Sequence, residues 1–302
     1  MSAIATRRRT RTTLAGLVGV VSIRYLMLTS VAVVSSVPLI WMISTSLKES
    51  GNEFLFPPQW VPDPAVWANY VDVWSRFTNL LLFVSNTFIV SILATVGTVL
   101  SCSLVAYGFG RMSFPGRSTL FGLLLATMML PAIITLVPTF ILFRSLGLTN
   151  SLLPLILPFW FGGGAFGSAF YVFLIRQFLM QLPRDLDEAA VVDGASHWRI
   201  YWSIMMPLAR PSLAASAIFS FIHHWNDFLN PLIFIDTERW RTLALALRYY
   251  INQFTFCCAR TPTPWNILMA ASVVMLVPIL ILFFSAQRYF IRGIALSGFG
   301  GR

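Results

Sequence analysis

The sequence predicts an all-α polytopic membrane protein with six transmembrane helices and a polar loop of short helices between spans four and five. Of its 302 residues, 57% are hydrophobic and only 11% are charged. The mean hydropathy is +0.76, which lies far outside the usual range of soluble domains. The apolar residues form separate runs that can cross a hydrocarbon core of about 30 Å as helices rising about 1.5 Å per residue.

The N-terminal segment, residues 1–25, is predicted to remain attached to a membrane anchor. Four arginines between positions 7 and 11 precede an apolar stretch, as in the basic region of a signal peptide. The apolar character nevertheless continues to Leu47 with only Arg24 between, and no small-x-small cleavage pattern ends a short hydrophobic region. The first span is therefore predicted at residues 26–47.

The second span is predicted at residues 81–109. It follows an ordered outer loop, residues 48–79, whose tryptophans and tyrosine suit the headgroup level of a membrane. A short basic turn then leads to the third span, at residues 119–143, in which two prolines predict a kinked helix. Such kinks are tolerated where neighbouring helices or water satisfy the freed carbonyls.

The fourth span, residues 152–175, is predicted to be broken, because it contains two prolines and four glycines. Such breaks either line a cavity or allow close helix packing through small residues, and the sequence leaves both readings open. The fifth and sixth spans are predicted at residues 213–235 and 265–286, separated by a second outer loop.

The basic residues orient the chain. In the six-span arrangement, 14 of the 21 lysines and arginines lie on the side of the N-terminus and 7 on the other. Because positive residues are enriched on the cytoplasmic side, both termini are predicted there, flanking a transmembrane domain at residues 26–290, with residues 291–302 as the C-terminal segment. The net charge of +10 does not indicate nucleic-acid binding, since the arginines form separate clusters at the ends of apolar runs.

A polar segment, residues 184–211, interrupts the apolar runs and carries four of the eleven acidic residues. Asp185 is predicted to cap a short helix whose first turn holds Asp187 and Glu188, where carboxylates suit the positive end of the helix dipole. Gly194 is predicted to end this helix, and Ser196 to cap a second helix that runs toward the fifth span.

The first of these helices has a composition that suits docking better than catalysis. Ala189 and Ala190 leave one face nearly smooth, so that a groove of another protein can approach the backbone closely. Glu188 offers a charge for an arginine of that protein. An ordinary interfacial helical hairpin between spans is the alternative.

The spacing of the polar segment reproduces E-A-A, three residues, G, nine residues and I-x-L-P, with Met206 where leucine is usual. The matching residues are Glu188, Ala189, Ala190, Gly194, Ile204 and Pro207. This pattern resembles the EAA loop of ABC-importer permeases, in which the first helix is the cytoplasmic coupling helix that binds a cleft of the ATPase subunit. The resemblance assigns ATPase coupling to those residues together with Asp187 and Asp193.

The resemblance extends over nearly the whole chain. WMISTSLK, HHWNDFLNPLIF and QRYFIRG resemble the carbohydrate-importer branch of that family, and within it the smaller permease subunit of the maltose type. It implies a multi-pass protein of a bacterial or archaeal cell membrane that pairs with a second permease subunit. Two ABC ATPase subunits and an extracytoplasmic sugar-binding protein are the other expected partners.

Energy is expected to enter through the partners. The sequence contains no G-x-x-x-x-G-K-[ST] loop, and its single lysine, Lys48, is predicted on the outer side. The chain is therefore predicted to be a non-catalytic pore subunit that binds no cofactor, with ATP and magnesium used by the ATPase subunits.

The fifth span is unexpectedly polar. Residues predicted to face the pore or the sugar are Trp225, Asn226, Asp227 and Asn230. Trp225 could stack on a sugar ring, and the asparagines could bind hydroxyl groups. Alternatively, these side chains bind neighbouring helices, or Asp227 lies in water near the outer end.

A metal site is not predicted. His223 and Asp227 share a helix face, but no further ligand cluster accompanies them, and the three cysteines form no C-x-x-C pair. In the second outer loop, the resemblance predicts contact with the binding protein, with the candidate residues Thr255, Phe256, Arg260 and Thr261.

Two other functions are alternatives to a permease subunit. An ion-coupled secondary transporter would need ionisable residues paired within the spans and often an internal repeat, whereas Asp227 stands almost alone. An intramembrane metalloenzyme built on His223 and His224 would need further ligands, and no H-E-x-x-H motif supplies them.

Overall fold

The computed structural model describes residues 14–76, 79–162, 168–252 and 263–297, and these ranges contain helices and connecting loops but no strand. The chain forms two compact units, one of Met1–Val73 with Pro264–Val273 and the other of Trp74–Thr263 with Val274–Arg302. The all-α class predicted from the sequence is confirmed.

The helices are named α1 to α14 in chain order. They are α1 (Leu14–Ser46), α2 (Ala68–Arg76), α3 (Leu80–Arg111), α4 (Arg117–Thr127), α5 (Ala132–Ser145), α6 (Leu157–Trp160), α7 (Ser168–Gln181), α8 (Asp185–Val192), α9 (His197–Ile200), α10 (Met206–Leu208), α11 (Arg210–Trp225), α12 (Leu229–Phe234), α13 (Leu243–Asn252) and α14 (Trp265–Ser297). A π-helical turn, Tyr201–Met205, makes α9 and α10 continuous. Short 3-10 turns lie at Leu153–Leu155 and Glu238–Trp240.

Among the described residues, three helical stretches are long and apolar enough to cross a membrane: Ile23–Ser46, Leu80–Arg111 and Trp265–Ser285. They correspond to the predicted first, second and sixth spans. A fourth crossing results if His197–Leu208 and Arg210–Trp225, which are bent by 78° relative to each other, are counted as one span. The structure thus supports three or four spans by length and composition.

The predicted third, fourth and fifth spans are divided into shorter helices. In the third span the break at residues 128–131 comes just before α5, whose N-cap is Pro131. At 14 residues, α5 is about 21 Å long, less than a hydrocarbon core. The fourth span contains α6 and the start of α7, as expected of a broken span, and the fifth is divided where α11 ends at Trp225.

In the second unit, α3 is the central helix and packs most extensively against α7 and α11. Its small residues allow close approach: Ser101 Oγ donates to the Phe159 carbonyl over 2.8 Å, and Cys102 Sγ to the Ser168 carbonyl over 3.6 Å. Because lipid supplies little hydrophobic driving force between helices, such small and polar contacts hold membrane helices together. The element that supports the polar segment is therefore a long, unbroken and well-packed helix.

In the first unit, a buried polar network holds the outer loop against the end of α1 and the start of α14. Asn69 Nδ2 donates to the carbonyls of Ser46 and Lys48 over 2.9 and 2.8 Å. Asn266 Nδ2 donates to the Lys48 carbonyl and to Asn69 Oδ1, each over 3.2 Å. The loop that was predicted to be ordered is thus fixed by hydrogen bonds to both helices.

Candidate functional site: a docking helix held on α3

The polar segment folds as two short helices joined by a bend, as its sequence predicts. The first helix, α8, carries Asp185, Asp187 and Glu188 in its first turn, where carboxylates stabilise the positive end of the helix dipole. The predicted cap at Asp185 is wrong: Arg184 occupies the N-cap position without a side-chain hydrogen bond, so the helix begins one residue earlier than a cap at Asp185 would give.

Gly194 ends α8 in a Schellman motif. Its φ is +76°, which side-chain-bearing residues rarely adopt. The Gly194 amide donates to the Val191 carbonyl over 3.0 Å, and the Ala195 amide donates to the Ala190 carbonyl over 2.9 Å. The glycine therefore satisfies two carbonyls at the helix end and turns the chain into the second helix.

Ser196 begins the second helix as predicted. Its backbone is extended, and its hydroxyl accepts a hydrogen bond from the Arg199 amide over 3.3 Å. The following π-helical turn precedes Pro207, whose missing amide cannot bond to the helix behind it.

One face of α8 is packed against the membrane helices. Arg111, the last residue of α3, pairs with Asp187, its Nη1 lying 3.0 Å from Asp187 Oδ2. Its Nη2 donates to the Leu182 carbonyl at the end of α7 over 2.9 Å. The Arg111 side chain is only 3% exposed, so one guanidinium joins α3, the end of α7 and α8.

Ala190 does not lie on the exposed face of α8 where the sequence predicts it. It is buried in a hydrophobic cluster with Tyr107, Leu179 and Tyr201, whereas it was predicted to form a smooth outer face together with Ala189. The two alanines are one residue apart on a helix and so point in directions about 100° apart. Only Ala189 is exposed.

The opposite face of α8 is exposed. It consists of Glu188, Ala189, Val191 and Val192, of which Val192 is 85% exposed. Asp193 and Gly194 are exposed beside it. Among the residues that the structure describes, the Glu188 carboxylate makes no ion pair. The face thus combines apolar surface, small side chains and an available negative charge.

The second helix is also attached to α3. The hydroxyls of Tyr201 and Ser103 lie 2.8 Å apart and are buried, and the ring of Tyr201 packs on that of Tyr107 with centroids 5.4 Å apart. Ile204 is partly buried against the same cluster, and Pro207 is exposed. Of the eight residues assigned to coupling, then, Ala190 and Ile204 pack inward and Asp187 pairs with α3.

Sequence reasoning missed Arg111, Ser103 and Tyr201. Arg111 lies in the short basic turn before the third span and was counted only among the basic residues that orient the chain in the membrane. The one available signal was its position at the end of a span, where a buried guanidinium needs a carboxylate, and the polar segment holds the acidic residues of the predicted cytoplasmic side.

The polar residues of the fifth span do not form one cluster. Trp225 is 1% exposed, and its Nε1 donates to the Met275 carbonyl over 3.2 Å. Its ring packs on Phe88 and Phe221, with centroids 4.7 and 5.6 Å away. Trp225 therefore packs between helices, as the alternative to sugar stacking predicts. Its buried ring is not accessible to a sugar in this conformation.

The three neighbouring residues are more accessible. Asn226 is exposed and donates to the Ile222 carbonyl of its own helix over 2.8 Å. Asp227 accepts from the amide of Asn230 over 3.2 Å and from its side-chain nitrogen over 2.8 Å, which fixes the start of α12. His224 is buried against Phe159, with ring centroids 4.3 Å apart.

The remaining predicted residues belong to the second outer loop. Thr255, Phe256, Arg260 and Thr261 lie outside the described residues. Within the described ranges, no group of three or more histidine, cysteine, aspartate or glutamate side chains is placed to hold a metal ion.

The described residues thus form a helical membrane protein that carries a short acidic helix with one face packed against its other helices and the opposite face free. Comparison with known proteins gives the family. Residues 99–296 match the family described as "Binding-protein-dependent transport system inner membrane component". The chain belongs to this family: it is an ABC-importer permease, the membrane component and not the ATPase.

Two relatives and one solved structure illustrate the similarity. The chain is 33% identical over 268 residues to the probable ABC transporter permease protein YurM of Bacillus subtilis, covering 87% of this chain and 83% of the relative. It is 33% identical over 258 residues to the diacetylchitobiose uptake system permease protein NgcG of Streptomyces coelicolor, covering 85% and 82%. Its fold is similar to a chain of a bacterial ABC transporter that imports the acidic polysaccharide alginate, with a TM-score of 0.76, 20% identity and coverage of 92% and 98%.

Proposed function

We propose that the chain is one of two permease subunits of an ATP-driven sugar importer, that it forms half of the translocation pore, and that α8 is its coupling helix. The observation that carries this proposal is the division of α8 into a packed face, fixed by the Arg111–Asp187 pair, and a free face with Glu188 and Val192. A helix that only connected two spans would need no such free apolar and charged face.

The free face of α8 can link ATP hydrolysis in a partner to movement of the membrane helices. An ATPase cleft that receives α8 gains apolar contact with Val192 and Ala189, and a basic residue there can pair with Glu188. When two ATPase subunits close on ATP, the cleft moves and carries α8 with it, and α3 follows because the packed face of α8 is bound to α3. Displacement of packed helices as rigid bodies then changes access to the pore.

The proposed topology has six spans with both termini and the polar segment in the cytoplasm. The divided helices that follow α3 then cross the membrane in pieces, which is tolerated where the breaks are covered by protein or line a cavity. The distribution of arginines supports this orientation, and it places α8 on the side where ATP is available.

The proposed assembly contains a second permease subunit, two ATPases that use ATP and magnesium, and an extracytoplasmic sugar-binding protein. Several helices have broad apolar faces that we expect to lie against lipid or a membrane partner. Val31 on α1 is 65% exposed, and Val137 and Ile141 on α5 are 62% and 61% exposed. Such continuous apolar surface is stable only against lipid or another membrane protein.

A sugar is the proposed substrate class. The relative NgcG is named for diacetylchitobiose uptake, and the segments that resemble the carbohydrate branch lie along nearly the whole chain. Asn226, Asp227 and Asn230 are the proposed pore residues, because amide and carboxylate groups can bind sugar hydroxyls. Trp225 is left out, since its ring is already covered. Binding-protein contact through the second outer loop stays a prediction.

The decisive variant is Glu188→Lys, which reverses the charge of the free face without touching the packed one. In vesicles that contain the whole complex, we expect it to abolish the ATP hydrolysis that sugar-loaded binding protein stimulates. Glu49→Lys is the matched control, because it makes the same charge change at an exposed residue outside the polar segment. If Glu188→Lys leaves stimulated hydrolysis and transport intact, α8 is not the coupling helix.

A further inference from the structure

We infer that α3 is a rigid connector that links the polar segment at one end to the second outer loop at the other, with Arg111 and Asn86 as its positioning residues. This inference rests on the proposed docking of α8 to an ATPase. It goes further by stating which membrane helix receives the movement and where that movement arrives.

The inner end of α3 holds the polar segment at two points. Arg111 pairs with Asp187 of the first helix over 3.0 Å, and Ser103 bonds to Tyr201 of the second over 2.8 Å. Eight residues of helix separate these anchors, about 12 Å along the axis. Two anchors fix orientation as well as position, so a rotation of the polar segment has to turn α3 with it.

The other end of α3 holds the second outer loop. Asn86 Nδ2 donates to the carbonyls of Arg239 and Arg241 over 2.8 and 3.0 Å. Asn79 Nδ2 donates to Glu238 Oε1 over 2.9 Å. Just beyond, the Leu243 amide donates to Thr87 Oγ1 over 2.8 Å. Residues 238–243 are therefore held by four hydrogen bonds to the N-cap and the first turns of α3.

Between these ends α3 is one unbroken helix of 32 residues, about 48 Å long. It contains no proline, and small buried residues pack it against α6, α7 and α11. α3 lacks the proline and the π-bulge that often kink helices, and two of its three glycines, Gly97 and Gly110, are buried against neighbouring helices, so we expect it to move as one body.

The covalent route out of the polar segment is less direct. The chain turns by 78° between His197–Leu208 and Arg210–Trp225, with Ala209 at the bend. A bend between two short helices can absorb part of a displacement by changing its angle. The route through α3 has no such bend, so α3 is the element that carries the movement farthest.

The test uses the whole complex, purified through a tag on this chain, with the native cysteines replaced by serine. A fluorophore is attached at Arg239→Cys, an exposed side chain whose backbone carbonyl is bound by Asn86. The probe is magnesium ATP with vanadate, which traps the ATPases closed and requires no knowledge of the transported sugar. We expect a nucleotide-dependent change in fluorescence.

Arg111→Ala is expected to reduce this change on the order of tenfold, within the range of coupling between distant sites. Arg111→Lys should retain part of it, and the exchange Arg111→Asp with Asp187→Arg should restore it. Asn86→Ala should reduce the change while ATP hydrolysis by the complex continues. Arg117→Ala, an arginine of the neighbouring turn that donates to the Met112 carbonyl, is the control and should leave the change unaltered.

The inference is overturned if Arg111→Ala and Asn86→Ala both preserve the full change. If Arg111→Ala does not assemble, Asn86→Ala and the charge exchange decide, because neither leaves an unpaired charge at the Arg111 site. Failure of the proposed function gives a different result: Glu188→Lys would then leave stimulated ATP hydrolysis unchanged, whatever the fluorophore reports.

Discussion

Gly97 of α3 and Trp160 at the end of α6 are so close that a Cβ added to the glycine would lie 2.6 Å from the nearest indole carbon. Two further indole atoms would lie 2.8 Å away. The broken fourth span thus packs directly on the backbone of α3. The glycine in this contact belongs to α3; a Cβ at Gly162 of the fourth span would meet no atom within 4 Å, so both readings of the fourth-span glycines stay predictions.

Gly97→Ala is therefore expected to destabilise the protein, by about 1–3 kcal/mol, the usual cost of overpacking. Thermal unfolding in detergent measures the effect. Gly108→Ala is the matched control in the same helix, because a Cβ there meets no atom within 4 Å. Adding Trp160→Leu should recover part of the loss, and equal stability of the two alanine variants would contradict the packing.

Gly194→Ala tests the turn between the two helices of the polar segment. An L-residue at φ +76° costs roughly 1–2 kcal/mol, so we expect faster hydrogen exchange of the Ala195 amide and weaker stimulation of ATP hydrolysis. Gly116→Ala imposes the same backbone cost at φ +79° in another turn. It should leave stimulation unchanged, and an equal loss in both variants would remove any special role for Gly194.

Lys48 gives a pH dependence of stability. Burial lowers the pKa of its ammonium group below the ordinary value of 10.5, and the Glu53 carboxylate raises it part of the way back. Between the lowered pKa and 10.5 the unfolded chain binds more protons than the folded one, so the free energy of unfolding should rise with pH in this window. Below the lowered pKa the cost of burying the charge is constant.

Denaturant unfolding from neutral pH to about pH 10.5 measures this rise. Lys48→Met has no group that titrates there, and Lys48→Arg stays charged throughout. Both variants should lack the rise that the wild type shows. Parallel curves for all three proteins would mean that Lys48 titrates alike in the folded and unfolded chains.

Asn150 joins two loops of the second unit. Its Oδ1 accepts hydrogen bonds from the amides of Asp236 and Thr237 over 3.2 and 2.9 Å, and its φ is +58°. Asn150→Gly removes the acceptor but keeps the backbone freedom, whereas Asn150→Ala removes both. Hydrogen exchange at the two amides should accelerate in both variants, and stability should fall further, by about 1–2 kcal/mol, in Asn150→Ala. Unchanged exchange in Asn150→Gly would exclude the loop contact.

Much of the fold follows from local patterns in the sequence. Long apolar runs predict α1, α3 and α14, and the cap at Ser196 and the turn at Gly194 are where local chemistry requires them. The sequence predicts a kinked third span and an undivided fifth span, whereas each is divided into two helices. Helix ends there depend on which carbonyls neighbouring helices can satisfy, and a single sequence does not contain that information.

The candidate site could be predicted only in part, because the contacts that hold it also depend on tertiary packing. The free face with Glu188 follows from helix composition, but its support does not. Arg111 and Asp187 are 76 positions apart, and Ser103 and Tyr201 are 98 apart, so only the packing of α3 brings them together. Trp225 shows the reverse error: its residue type suggested sugar stacking, while packing against Phe88 and Phe221 buries its ring.

The central claim is that the free face of α8 lies against an ATPase subunit, and cross-linking tests it most directly. In a cysteine-free background, Val192→Cys should be joined to an ATPase by a short bifunctional reagent, and Val31→Cys on α1, also exposed, should not. Modification of Val192→Cys by a membrane-impermeant reagent added outside intact cells, or its cross-linking to the binding protein alone, would contradict the account.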